Sequence, residues 1–180
     1  MRKLLKIAAI ALSLSYPFLV YWGLQHYDAS ALLPVLLTLL GLRWAIGAKS
    51  ADRKIVIATL LGVVAIALVW GHQLGLKFYP VMMNLGFLSL FASSLFFPPP
   101  IVERLARIKE PNLSPEAMAY TRKVTWLWSV FFLLNGTIAA ITALWATDKT
   151  WLLYNGFIAY LLIGSLAAGE WLFRQRVIRG

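Results

Sequence analysis

A chain of 180 residues with 61% hydrophobic and 13% charged residues lies far from the roughly 45–50% apolar and about 25% charged residues of a soluble domain. That composition excludes a soluble globule. At ~20 residues per bilayer-crossing helix, the length accommodates six helices with short connections, so an all-α integral membrane protein forming one polytopic domain over 1–180 is expected.

The absence of cysteine and the presence of only two histidines exclude disulfides, thiolate metal sites, iron–sulfur ligation and a multi-histidine metal cluster. No cofactor or metal is expected. The formal net charge of +10 would suggest nucleic acid in a soluble protein. Here the basic residues flank apolar runs, so they read as topology signals and contacts for anionic lipid headgroups, and no nucleic-acid partner is expected.

In chain order, apolar runs fall at 4–24, 30–47, 55–73, 79–98, 124–145 and 150–173, each close to the length a transmembrane helix requires. The first resembles a secretory signal, with a basic start and Ala-Leu-Ser at 11–13. It continues through Phe18 to Trp22 and is expected to be retained as a span. The second carries Arg43 in its last turns, where a long side chain can snorkel to the interface. With the N-terminus inside, fifteen of the 17 Lys and Arg residues lie on the cytoplasmic side, and only Lys77 and Lys149 lie outside. The positive-inside rule therefore places both termini in the cytoplasm. Short outer loops are expected near Asp28, at His72–Lys77 and at Asp148–Lys149.

Aromatic residues gather near the ends of the runs. Tyr21, Trp22, Tyr27, Trp70, Phe78, Tyr79, Trp145, Trp151 and Tyr154 are expected at the outer interface, and Trp44, Trp126, Trp128 and Trp171 at the inner one, as amphipathic rings prefer headgroup depth.

The long connection runs from Pro98 to Lys123. Three consecutive prolines, Pro98, Pro99 and Pro100, end the fourth helix sharply. Beyond them Ile101, Val102, Leu105 and Ile108 share one helical face and Glu103, Arg104, Arg107 and Lys109 the other, the pattern of an amphipathic helix lying on the cytoplasmic leaflet. Ser114-Pro115-Glu116 supplies a capping serine, a proline at the first helical position and an acid in the first turn. The fifth helix is thus expected to begin in water and enter the membrane near Val124. Two readings stand for this loop: a tether with a solvated basic face, or a docking surface for a cytoplasmic protein or anionic lipid formed by Arg104, Arg107, Lys109, Arg122 and Lys123.

No catalytic residue is assigned. Seven acids form no cluster, and no acyltransferase, aspartate-rich, nucleophile-elbow or Walker pattern occurs. His26-Tyr27-Asp28 reads as solvated turn residues. More informative are polar residues within the spans, because polar groups in hydrocarbon need partners. Asn84, Asn135 and Asn155 can face one another, and Asn-Gly-x-Ile-Ala recurs at 135–139 and 155–159. They read either as interhelical packing or as a lipid-contacting polar pocket. Glu170, the acid within a span, is expected to pair with Arg174 one turn later or with Arg43. Its other reading is an intramembrane proton or substrate site.

The stretch from Tyr79 to Arg176 resembles a family of uncharacterised bacterial inner-membrane proteins associated with aryl polyene and xanthomonadin-type pigment biosynthesis genes. The resemblance is carried by Pro80 to Asn84, Pro98 to Arg107, Tyr120 to Arg122, the Phe-Phe-x-x-Asn-Gly of the fifth helix and the Gly-Glu-Trp of the sixth. More distantly, the Trp-x-x-Phe-Phe run of the fifth helix is similar to the intracellular septation protein A family. The resemblance implies a multi-pass protein of the bacterial inner membrane with a non-enzymatic accessory or scaffold role in envelope or aryl polyene lipid biogenesis. Cytoplasmic acyl-carrier or polyene synthase proteins are its implied partners. A small lipid or polyene-lipid carrier or flippase component, assembled as a homo-oligomer, is the alternative, and a membrane enzyme on a lipid-linked substrate the third.

Overall fold

Where no water is available, backbone polar groups in a long apolar run are satisfied within helices. The computed structural model of the chain, which describes residues 15–45 and 50–179, is helical with no strand among those residues. Helix α1 covers 15–26. It is followed by α2 (Ala29–Ala45), α3 (Ser50–Trp70), α4 (His72–Lys77), α5 (Tyr79–Phe96), α6 (Ile101–Ala106) and α7 (Pro115–Trp145). Helix α8 (Asp148–Leu153) then runs through a π-helical turn (Tyr154–Ile158) into α9 (Ala159–Arg179).

Three of these stretches, Tyr79–Phe96, Pro115–Trp145 and Asp148–Gln175, are long and apolar enough to cross a membrane, and Ile57–Trp70 is a shorter apolar helix. They coincide with the expected fourth, fifth and sixth runs. The first ten or so residues of the expected first span, the 46–49 junction after the second and the Arg43 side chain lie outside the described residues.

The sequence punctuation works as its chemistry dictates. Helix α5 stops at Phe96, and the Ser94 hydroxyl accepts the Ile101 backbone N–H at 2.9 Å, which folds the start of α6 back on the end of α5. The Ser114 hydroxyl accepts the Ala117 N–H at 3.2 Å, capping α7 with Pro115 in its first turn. With 31 residues, α7 is about 46 Å long at 1.5 Å per residue. It is longer than the ~30 Å hydrocarbon core of a bilayer.

One expected loop is a helix instead. His72–Lys77 forms α4, and its last three residues are buried. The reversal from α3 takes place at Gly71, whose φ of 98° suits a residue without a Cβ. At Gly75 a Cβ would lie 2.6 Å from that of Ala67, so the glycine permits α4 to press directly against α3. The tight apposition explains why six residues of modest apolarity pack as a lid on this end of the bundle. We call it the lid end, and the Pro98–Ser114 end the loop end.

The core beneath the lid joins Tyr16, Val20, Val63, Leu76, Tyr79, Ala143 and Trp151. Toward the loop end, Phe87 and Phe91 of α5 each lie 5.2 Å, centroid to centroid, from Phe132 of α7. Expected interfacial aromatics divide accordingly. Trp22, Tyr27, Trp70 and Trp145 are exposed, whereas Tyr79, Trp151 and Tyr154 are buried. Trp151 is fully enclosed because its indole N–H donates to the Lys77 carbonyl at 3.2 Å, satisfying the one polar atom that would otherwise hold the ring at the surface.

Candidate functional site

Polar side chains converge at two levels of the bundle. Nearest the lid, the Lys77 ammonium pairs with the Asp148 carboxylate, with Lys77 almost fully buried and Asp148 about one-third exposed. The Tyr16 hydroxyl donates to the Leu76 carbonyl at 2.7 Å. Together with the Trp151 indole these contacts tie α1, α4 and α8 to one another. Lys77 and Asp148, expected in separate solvated loops, form a single clamp.

Below it lies a chain of amides. Asn84 donates to the Pro80 carbonyl at 2.8 Å and its Oδ1 accepts from Asn135 Nδ2 at 2.9 Å. The Asn135 Oδ1 accepts from the Tyr154 hydroxyl at 2.8 Å. Gly136 allows this approach, since a Cβ there would sit 3.0 Å from that of Asn84. Asn155 does not join the other two asparagines. Its Nδ2 donates to the Thr142 hydroxyl at 3.1 Å and to the Trp151 carbonyl at 3.0 Å. The π-helical turn carries both Tyr154 and Asn155, and such turns recur at functional sites. A cavity of about 260 Å³ adjoins them, lined by Tyr16, Met83, Asn84, Phe132, Asn135 and Asn155 among others.

The larger space lies between α7 and α9. Between these two helices is a groove of about 770 Å³. Its α7 wall is the stripe Glu116, Ala119, Tyr120, Lys123, Val124 and Leu127, and its α9 wall is Ser165, Leu166, Gly169, Glu170 and Phe173. The deeper part is apolar, and charge is confined to the loop end. There the Tyr120 hydroxyl donates to Glu170 Oε1 at 3.1 Å, and the Tyr120 and Phe173 rings stack at 6.1 Å. Glu170 also meets the expected Arg174, at 3.7 Å. Nothing lies within 4 Å of a Cβ built on Gly169. No neighbour among the described residues therefore calls for a glycine there, although glycine costs a helix about 1 kcal/mol relative to alanine.

Comparison with known proteins gives no match: no family model, no curated protein and no solved structure resembles the chain.

The loop cations fall into two groups. Arg104 donates to the carbonyls of Pro99 at 2.6 Å and Phe97 at 2.9 Å. Arg107 donates to Glu103 at 2.8 and 2.9 Å, to the Pro111 carbonyl at 3.0 Å and to the Met118 sulfur at 3.2 Å. Both guanidiniums brace the loop. Lys109, Arg122 and Lys123 are exposed. In α6, Glu103 is buried while Leu105 faces outward, as does Ile108 in the turn that follows.

The sequence singles out the asparagines, Glu170 and Arg174. It does not single out Tyr120, Tyr154, Thr142 or the Lys77–Asp148 clamp. The available signal for Tyr120 was its place in a stripe at i, i+3, i+4, i+7 with Glu116 and Lys123.

Proposed function

We propose that the protein is a non-enzymatic accessory protein of the bacterial inner membrane that holds a lipid chain in the α7/α9 groove during envelope-lipid biogenesis. The observation that carries this reading is the groove itself: apolar walls, a polar and charged mouth at one end, and a glycine facing open space. An amphiphile matches that division of surface, since lipid sites pair an apolar trough with a few placed polar groups. Six apolar runs supply the spans, and the basic residues at the termini, at 43–54 and at the loop end place both termini in the cytoplasm. In that orientation the mouth opens at the cytoplasmic leaflet, and the outward-facing Leu105 of α6 and Ile108 just after it dip into it. The resemblance to pigment-associated membrane proteins directs the choice of lipid to a polyene chain.

The test uses a pigment-producing host lacking the gene, complemented with wild-type protein or with Gly169→Trp, which puts an indole into the groove from a position where a Cβ meets nothing within 4 Å. Inner and outer membranes are separated and their polyene lipids measured by mass spectrometry. The expected result is polyene lipid retained in the inner membrane of the deletion strain, corrected by the wild type and not by Gly169→Trp at equal abundance. An unchanged lipid profile on deletion, or full correction by Gly169→Trp, overturns it. The exposed Lys109 and Arg122 favour a second reading, a scaffold for acyl-carrier or synthase proteins. That reading is supported if Gly169→Trp corrects the defect and Lys109→Ala/Arg122→Ala does not.

A further inference from the structure

The order of charges down the groove specifies a headgroup. Glu116 stands exposed in the first turn of α7 at the mouth. Tyr120 and Glu170 follow one turn deeper, joined by their 3.1 Å hydrogen bond. Lys123 comes next, about 10 Å below Glu116 at 1.5 Å per residue, and Val124, Leu127 and Leu166 continue as apolar wall. From water inward the sequence is acid, acid with hydroxyl, base, hydrocarbon. A phospholipid bearing an amine presents the complement in the same order: ammonium outermost, phosphodiester next, acyl chains last. We propose that the groove selects a zwitterionic phospholipid with a primary ammonium, phosphatidylethanolamine, with the phosphate on Lys123 and the ammonium between Glu116 and Glu170. This rests on the groove being a lipid site.

The alternatives in the same leaflet fit less well. A glycerol head supplies the phosphate but sets neutral hydroxyls against two carboxylates. A choline head carries the positive charge but has no N–H to donate, and hydrogen bonds between ionised partners are the strong ones. Glu170 meets Arg174 at 3.7 Å and Tyr120 at 3.1 Å through the same oxygen, Oε1, which leaves Oε2 to accept from the ammonium. Open space at Gly169 lets the head lie close to the α9 backbone, level with Glu170.

The test is native mass spectrometry of the full chain, delipidated in mild detergent and titrated with phosphatidylethanolamine, phosphatidylglycerol or phosphatidylcholine of identical chains. Phosphatidylethanolamine is expected to bind about tenfold more tightly than either competitor. Glu116→Gln and Glu170→Gln are each expected to erase that preference while chains still bind, and Lys123→Gln to weaken all three lipids together. Phosphatidylglycerol or phosphatidylcholine binding as tightly as phosphatidylethanolamine, or a preference that survives both Gln variants, overturns the headgroup assignment alone. Failure of all three lipids to bind, or binding unaffected by Gly169→Trp, overturns the lipid groove and the headgroup with it.

Discussion

Asn135 is hydrogen-bonded on both sides of its amide, to Asn84 and to Tyr154, so replacing it orphans two buried partners at once. Asn135→Ala is expected to lower stability by about 1–2 kcal/mol, near the upper end of polar contacts measured between membrane helices, as a reduced Tm in detergent. The Lys77–Asp148 clamp makes a sharper case. Breaking a buried ion pair from one side leaves an uncompensated charge, and Asp148→Ala is expected to cost about 2–3 kcal/mol, below the full buried-pair penalty because Asp148 is partly exposed. Lys77→Met/Asp148→Leu is expected to recover most of that loss in the same melt, since an apolar pair of similar volume replaces the ions. Asparagines in hydrocarbon announce themselves in a sequence, because amides there must find partners. Lys77 and Asp148 did not, because charged residues beside a predicted turn read as solvated. Tyr154 and Trp151 were obscured for a related reason: an aromatic ring near a helix end satisfies the interfacial pattern until its polar atom is seen bonded inside the bundle.

At the scale of elements, caps and prolines set the boundaries. Ser114→Ala removes the hydroxyl that accepts the Ala117 N–H and is expected to destabilise the first turn of α7 by about 1 kcal/mol, measurable as faster amide exchange at 116–118. Arg107 joins α6, the Pro111 turn and α7, so Arg107→Ala is expected to speed proteolysis of the 98–114 loop. Lys109→Ala, at an exposed position, is expected to leave the rate unchanged. The start of α7 and the end of α5 were legible because Ser-Pro-Glu and Pro-Pro-Pro act locally. Helix α4 was not, since its six residues owe their burial to the contact between Gly75 and Ala67 across the α3–α4 turn. The π-turn is likewise invisible in Tyr-Asn-Gly-Phe-Ile, because one extra residue per turn is a response to packing and leaves hydropathy unaltered.

For the whole molecule, the absence of cysteine makes single-site labelling clean. With Asn112→Cys and Lys149→Cys as separate variants, an impermeant maleimide is expected to label only position 149 in intact spheroplasts and position 112 after permeabilisation. Three apolar helices were readable from the sequence as spans, yet the space between two of them was not. The groove between α7 and α9 is bridged near its loop end by Tyr120 reaching Glu170 fifty residues away, a contact that leaves no periodic trace. That space is proposed to hold lipid. The decisive measurement is the mass of the intact protein released from native membranes, wild type beside Gly169→Trp. One phospholipid retained by the wild type and absent from the variant is the predicted result; a lipid-free wild type, or equal retention by both, would contradict it.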